Sequence, residues 1–342
     1  MYASSQALPE LPEIDLALVH ALQVAPRAPW SAIGRTIGVD PATAARRWDR
    51  LVGERLAWFV VRPSAEQLAP DRDAVVLRLR CRPGSEERVA ERMAAVDDVY
   101  SVDLIGGEDD VAVVLVGRGL GAMRRRVDAL VDSDPDVYMT RVFFIAEVHR
   151  EDAQWRLGAL SPDQIQGLSR GGDGTVTFPD PEVIDQLTAV LLEDPRMSVA
   201  DIGRRLDRPE PTARRLLDRA LRSRAIRLGC DVVASAGGAG RGVMLEAEAD
   251  DPRMVGKAIG DLPCVVRCAA VVGPSNIAMA VRFGALEDLF TFEATAAERV
   301  PGWKVTDRAT VVRSVKRQGY VLDDEGRVLL STPRPRTATM DR

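Results

Sequence analysis

The first sixty residues carry apolar side chains at intervals of three and four, the spacing that gathers them on one face of a helix. This pattern predicts three short helices, at 13–25, 30–37 and 41–54. Gly38 marks a tight turn between the second and third helices, and Asp40 followed by Pro41 is a favourable start for the third. Two short helices joined in this way form a helix-turn-helix, an element that can place its second helix in the DNA major groove.

The hydrophobic period changes to two after a polar, proline-containing stretch at 62–73, which predicts a linker and then strands. The predicted strands are 74–81, 99–105, 111–116 and 137–148, and the predicted helices between them are 85–95 and 120–131. The order β-α-β-β-α-β is the ferredoxin-like arrangement, a four-stranded antiparallel sheet with two helices on one face.

Both patterns occur again after a second connection at 150–177, in which 162–168 is a predicted helix followed by a glycine-rich stretch. Helical spacing returns at 183–192, and the stretch 198–226 is predicted to form two short helices joined by a tight turn. The second β-α-β-β-α-β order is predicted at 243–248, 253–259, 265–272, 277–283, 286–298 and 303–316, with a terminal hairpin at 320–330.

Residue types match at one constant offset of 169 positions. Ile33-Gly34-Arg35 matches Ile202-Gly203-Arg204, and Thr43-Ala44 matches Thr212-Ala213. Matches at a single offset over about thirty residues predict an internal duplication.

The patterns together predict an α+β chain in which two winged helix-turn-helix domains alternate with two ferredoxin-like domains. A length of 342 residues suits such a division. The predicted boundaries are helix-turn-helix 1–61, linker 62–73, ferredoxin-like domain 74–149, linker 150–177, second helix-turn-helix 178–235, second ferredoxin-like domain 236–317, and a hairpin and disordered tail at 318–342.

The charge distribution favours local DNA contacts. A net charge of -5 argues against coating of nucleic acid by the whole molecule, so binding must come from basic patches. Nine arginines face four acidic residues between 201 and 227, whereas five face three between 31 and 57, so the second helix pair should bind DNA more strongly. The candidate DNA-binding residues are Thr43, Arg46, Arg47, Arg50, Arg204, Arg205, Thr212, Arg214, Arg215 and Arg219, of which Arg204 and Arg205 suit backbone phosphates.

Enzyme and metal chemistry have little to build on in this sequence. The four cysteines form no CxxC pair, and the two histidines, His20 and His149, are far apart. We therefore assign no catalytic residue, metal site or cofactor. Neither a signal peptide pattern nor a membrane-length apolar run is present, which predicts a cytoplasmic, nucleoid-associated protein with buried reduced thiols.

The run Gly38-Val39-Asp40-Pro41-Ala42-Thr43-Ala44-Ala45-Arg46-Arg47, followed by Leu51, resembles the turn and recognition helix of the Lrp/AsnC (feast/famine) transcriptional regulators. The resemblance covers nearly the whole chain, as two fused copies of the family's helix-turn-helix and ferredoxin-like effector domain. It implies double-stranded DNA as a partner, a small-molecule effector such as an amino acid, and assembly of chains into homo-oligomers. In the second copy Asp207 and Pro209 replace Gly38 and Asp40, a departure that puts the geometry of the second turn in question.

The family's effector domains carry a Gly-x-x-Asp loop near the small-molecule site, and two loops here are similar to it. The implied effector-binding residues are Gly107, Asp109 and Asp110 in the first loop and Gly273, Ser275 and Asn276 in the second. Glycine lets backbone N–H groups approach a ligand carboxylate, and an acid can hold its ammonium group. Ordinary polar hairpin turns account for both loops equally well.

Two other functions stay open at this point. The architecture also resembles siroheme decarboxylases, in which the same fold binds a tetrapyrrole, although only His149 offers a histidine in the ferredoxin-like halves. A ligand-sensing module without DNA binding is the third possibility. For the regulator, we expect the two ferredoxin-like domains to pair within one chain, and the unlike helices to prefer an asymmetric operator.

Overall fold

The computed structural model describes residues 11–63, 72–132, 134–168, 179–234 and 240–329. Within these ranges the helices are α1 (Glu13–Val24), α2 (Trp30–Ile37), α3 (Pro41–Gly53), α4 (Glu86–Ala94), α5 (Leu120–Asp132), α6 (Pro162–Leu168), α7 (Pro181–Glu193), α8 (Val199–Arg205), α9 (Glu210–Arg222) and α10 (Asp288–Arg299). The strands are β1 (Ala57–Pro63), β2 (Arg72–Cys81), β3 (Val99–Gly106), β4 (Val111–Arg118), β5 (Val137–Arg150), β6 (Ile226–Val232), β7 (Arg241–Glu248), β8 (Val265–Val272), β9 (Ile277–Phe283), β10 (Lys304–Arg317) and β11 (Tyr320–Val321).

The chain divides into two compact units, each built from stretches that are far apart in sequence. The helical unit contains α1–α3 with β1 and α6–α9 with β6, and the sheet unit contains the remaining elements. Most of the predicted linker at 62–73, the glycine-rich stretch of the second linker and the tail from 330 lie outside the described residues.

In the helical unit the order of three helices and a strand occurs twice, and α3 and α9 each bury one apolar face. Ala44, Trp48 and Leu51 of α3 are buried, as are Ala213 and Leu217 of α9. The side chain of Asp40 accepts a hydrogen bond of 2.9 Å from the Thr43 N–H at the start of α3. Hydrogen bonding by the Thr43 side chain, and to a smaller extent by its N–H, lowers the pKa of the Asp40 carboxyl. Pro209 offers no such cap to α9.

The two turns have the same geometry despite their different residues. Gly38 has φ 80° and Asp207, 169 positions later, has φ 51°, so both adopt the left-handed conformation. Aspartate tolerates this region better than most residues with a Cβ. In each turn the helix that precedes it packs tightly on the loop: a Cβ on Gly34 of α2 would meet the Val39 carbonyl oxygen at 2.6 Å, and one on Gly203 of α8 would meet that of Arg208 at 2.8 Å.

The strands that follow the helices pair with each other. β1 and β6 form an antiparallel two-stranded sheet in which Val60 lies opposite Gly229, also 169 positions later. The predicted wings are therefore single strands that complete one another. Two half-buried arginines also join the two halves: Arg27 donates to the carbonyls of Pro195 and Met197, and Arg196 donates to those of Pro26 and Ala28, at 2.5–2.7 Å.

The sheet unit combines both β-α-β-β-α-β runs in one closed sheet, not in two separate four-stranded sheets. Eight strands follow the order β10-β3-β4-β2-β5-β8-β9-β7, and β7 pairs again with β10. Each four-stranded half would leave two edge strands unpaired, and the β5–β8 and β3–β10 pairings cover all four. β11 adds to the outside of β10, and Leu322 bridges to Val328 in place of the longer predicted hairpin.

Helices pack on the outer face of this closed sheet and create two apolar cores. The first contains Leu77, Val89 and Val127, and the second contains Leu245 and Phe292. The helix predicted at 253–259 is wrong in type, because the chain forms a 3-10 turn at Pro252–Met254 and a π-helix at Gly256–Gly260. Proline and two glycines disfavour a regular α-helix there.

The inner face of the closed sheet holds a buried network of charges. Arg78 Nε donates to Glu246 Oε1 at 3.1 Å, and both side chains are almost fully buried. Arg141 Nη1 donates to the other Glu246 oxygen at 3.0 Å, and Arg141 also binds Asp109 and Asp307. The network joins strands of both halves. The two halves therefore pair well only when the charges of the arginines on one are matched by carboxylates on the other.

Candidate nucleic-acid interface

Arg46 on α3 and Arg215 on α9 are the predicted arginines that remain available to a ligand. Both are exposed, and neither has a hydrogen-bond or ion-pair partner in the part of the chain that the structure describes. They lie 169 positions apart, at the same place on their helices, because each begins after an equivalent left-handed turn. Thr43 and Thr212, one turn earlier on the same helices, are half-buried.

Arg47 and Arg50 do not project freely from α3 as we expected. Both bind the buried carboxylate of Asp15 on α1: Arg47 Nη1 donates at 2.9 Å and Arg50 Nη2 at 2.5 Å. Their side chains are still 33% and 44% exposed, so each guanidinium is shared between the protein and the surface. The role of Asp15 was not predictable from helical spacing, because spacing alone assigns no function to a single acidic residue on α1.

Three more candidate arginines are paired with acidic side chains on the surface. Arg204 binds Asp201 within α8, Arg205 binds Glu193 at 2.6 Å, and Arg214 binds Glu210 at 2.9 Å. These carboxylates are about half exposed, and such surface pairs contribute only about 0–1 kcal/mol. A phosphate can therefore displace them at small cost. Arg219 is half-buried on α9.

The turn between α8 and α9 contributes residues that sequence patterns did not single out. An open crevice of about 570 Å³ is lined by Gly203, Arg204 and Arg208, with Asp207, Pro209 and Glu210 around it. Arg208 is exposed, and so is Arg35 on α2, which stands 169 positions before Arg204. The offset could have identified Arg35 as a further cation of this surface.

The predicted effector loops are mainly occupied by contacts within the protein. In the first loop the Asp109 carboxylate binds Arg141, and the Asp110 carboxylate accepts a 2.8 Å hydrogen bond from the Cys81 N–H. In the second loop the Asn276 side chain makes two hydrogen bonds to the backbone of Ala249. It accepts from the Ala249 N–H at 3.0 Å and donates to the Ala249 carbonyl at 2.9 Å.

Close packing explains why glycine occupies one position in each of these loops. A Cβ on Gly107 would approach the Arg308 carbonyl oxygen to 3.0 Å, and one on Gly273 would approach the Phe143 ring to 2.8 Å. Each glycine thus lets its loop lie against a strand from the other half of the sheet. The Ser275 hydroxyl shares a 2.7 Å hydrogen bond with Thr306.

A pocket beside the second loop is open to solvent. Its volume is about 520 Å³, and Glu248, Asp250, Gly273, Ser275 and Gly302 are among the residues that line it. The carboxylates give it an acidic rim. In the described residues no group of three or more His, Cys, Asp or Glu side chains is placed to hold a metal ion, and no helix is long and apolar enough to cross a membrane.

A helix-turn-helix with an exposed, unpaired arginine on its second helix is typical of DNA-binding proteins. The AsnC-type helix-turn-helix domain matches residues 11–52. Two uncharacterized HTH-type transcriptional regulators of Pyrococcus abyssi are similar to the chain. One is 29% identical over 149 residues, 41% of this chain and 89% of the relative; the other is 30% identical over 105 residues, 30% of this chain and 69% of the relative. The chain belongs to the HTH-type transcriptional regulators with an AsnC-type helix-turn-helix.

The whole chain also resembles a solved enzyme structure. The siroheme decarboxylase NirDL superposes with a TM-score of 0.51 at 13% sequence identity, covering 92% of this chain and 96% of that one. At this identity the likeness is one of fold.

Proposed function

We propose that this chain is a transcriptional regulator with an internal pseudo-dimer, which binds double-stranded DNA through α3 and α9 together. In this proposal the chain arose by tandem duplication of one regulator unit. Each half supplies a helix-turn-helix to the helical unit and a ferredoxin-like run to the sheet unit. The observation that carries the proposal is the equivalence of Arg46 and Arg215, two exposed and unpaired arginines on the same face of two helices related by one offset.

The β1–β6 pairing supports the joint use of both helices. The Val60–Gly229 pair and the reciprocal arginine contacts give the helical unit an approximate two-fold axis. A two-fold arrangement presents α3 and α9 as the two halves of an isologous dimer would, and such dimers bind successive half-sites on DNA. Their side chains differ, so the proposed operator is asymmetric, with more of the ionic affinity in the half that contacts α9.

A small-molecule effector, such as an amino acid, is proposed to bind in the sheet unit. The open pocket at Gly273 and Ser275 supports this site, because its acidic rim suits an ammonium group. Asp110 and Asn276 then serve as supports for the loops, since both side chains are engaged with backbone groups. Association of several chains into a larger homo-oligomer belongs to the same proposal.

The DNA-binding proposal is tested with Arg46→Ala and Arg215→Ala variants. Binding to duplexes selected by the wild-type chain from a random library is measured by fluorescence anisotropy over a range of salt concentrations. A phosphate contact should lower the salt slope by about 0.9 for each arginine removed, and a base contact should cost about 1–3 kcal/mol. Arg125→Ala is the matched control, because Arg125 is exposed on α5 in the sheet unit. Equal binding by all four proteins would refute the proposal.

A tetrapyrrole-binding enzyme is the second candidate, and only the fold-level likeness to the siroheme decarboxylase favours it. His149 is poorly placed for such a role, because its ring is buried, contacts the Pro252 carbonyl at 2.8 Å and packs against Gly256. An absorption spectrum with added iron uroporphyrin separates the two candidates. A shifted Soret band that depends on His149 would favour the enzyme.

A further inference from the structure

The carboxylate of Asp15 is the feature of the helical unit that the DNA-binding proposal leaves unexplained. It lies on α1, its side chain has no solvent exposure, and each of its two oxygens accepts a hydrogen bond from a different arginine of α3. A buried carboxylate needs such partners, because an unpaired charge in the interior is costly. Asp15 therefore holds one nitrogen of Arg47 and one nitrogen of Arg50 against α1, although both side chains remain partly exposed.

The second half has different residues at two of the three equivalent positions. The position equivalent to Asp15 is Ile184, which is 4% exposed and belongs to the apolar core of that half. The position equivalent to Arg47 is Leu216, which packs against the same core. Arg219 stands at the position of Arg50 in the sequence, and Ile184 stands at the position of Asp15.

We propose that Asp15 is a specificity-determining residue, which withholds Arg47 and Arg50 from DNA phosphates and so makes the first half the weaker DNA-binding half. This inference rests on the proposed function. Asp15, Arg47 and Arg50 together carry a net charge of +1, and both guanidinium groups already donate to a carboxylate. A phosphate that contacts either arginine must share its guanidinium with a fully buried carboxylate, and withdrawing a partner from a buried charge costs more than separating two surface charges.

In this proposal, the difference in DNA affinity between the two halves depends on α1 as well as on the recognition helices α3 and α9. Only Arg46 is unpaired on α3, although the helix carries three arginines in its sequence. An alternative physical role is that Asp15 orients the two arginines toward DNA, in which case its removal weakens binding. The two roles predict opposite signs for the same substitution.

The experiment compares Asp15→Asn and Asp15→Ile with the wild-type chain, using one duplex selected by the wild-type chain. Asn keeps the shape of the side chain, and Ile copies the second half in case the amide disturbs folding; circular dichroism checks the helix content of each. Release of two arginines should steepen the salt slope by about 1–2, since each phosphate contact adds about 0.9. Glu13→Gln is the matched control, because Glu13 is an exposed acid on the same helix and its loss changes the net charge equally.

Arg47→Gln with Arg50→Gln then identifies the source of any gain. In the Asp15→Asn background this pair should abolish the steeper slope, whereas in the wild-type background it should change the slope much less. Footprints should also become more equal over the two half-sites in Asp15→Asn. An unchanged or shallower slope in a folded Asp15 variant overturns the inference alone. Failure of the wild-type chain to bind any duplex overturns the proposed function as well.

Discussion

Removal of Arg78 from the closed sheet should destabilise the sheet unit strongly. The Arg78→Met variant keeps most of the side-chain volume but leaves Glu246, which is 2% exposed, with Arg141 as its remaining partner in the network. Breaking a buried ion pair in this way costs about 3–5 kcal/mol. For a unit of this size, that loss lowers Tm by roughly 2–4 °C for each kcal/mol.

The loss should depend on pH with a definite sign. Burial raises the pKa of the Glu246 carboxyl even with both arginines present, and loss of Arg78 removes the stronger of the two opposing charges. A carboxyl whose folded pKa is raised contributes stability at low pH and loses that contribution as pH rises through the folded pKa. The deficit of Arg78→Met relative to the wild-type chain should therefore be smaller near the acid limit of folding than at neutral pH.

Urea unfolding followed by near-ultraviolet circular dichroism, at several pH values, measures this deficit. The matched variant is Arg78→Met with Glu246→Met, which removes both charges. It should be more stable than Arg78→Met alone, because an apolar pair of similar volume can replace a buried ion pair at little cost. Additive losses in the double variant, or a deficit that does not change with pH, would show that the charges at these two positions do not interact as the distances indicate.

Three further predictions concern the turns and the thiols. Gly203→Ala should destabilise the helical unit by about 1–3 kcal/mol, because the new Cβ would meet the Arg208 carbonyl oxygen at 2.8 Å. Gly53→Ala is the control: its Cβ would meet nothing within 4 Å, so this variant should be neutral or stabilising. Thermal melting compares the two variants. Asp207→Gly should raise the melting temperature slightly, by relief of about 1 kcal/mol of left-handed strain, and a lower melting temperature would contradict this. Cys264 should react first with a thiol reagent, since the other three cysteines are buried; equal rates for all four would contradict the structure.

Periodicity predicted most of the elements because they pack through one regular face. α3 is an example, with a cap at Asp40 and a buried stripe through Ala44 and Trp48. The π-helix at Gly256–Gly260 was not predictable from spacing, because its conformation depends on close packing against His149. The closed sheet was also beyond local patterns, because the β5–β8 pairing joins residues more than a hundred positions apart.

The sequence predicted where the candidate site lies, but not which of its arginines are already paired with carboxylates. Arginine counts identified α3 and α9, and Arg46 and Arg215 are exposed there. The partners that compensate Arg47 and Arg50 lie on another helix, so no count within α3 could find them. For the same reason the polar residues of the two predicted effector loops resembled ligand groups, although Asp110 and Asn276 bind backbone groups of adjacent strands.

The pairing of β1 with β6 has a consequence for how occupancy of DNA follows the amount of protein. Both strands belong to one chain, so each half meets the other at a fixed local concentration that dilution does not change. A regulator made of two separate chains loses its paired helices as the chains dissociate at low expression, and its DNA occupancy then rises with the square of concentration. Here β1 and β6 keep the two helix-turn-helix halves paired even at a single copy per cell. If α3 and α9 bind one DNA site together, as proposed, occupancy of that site by single chains should rise in simple proportion to chain number until the site saturates.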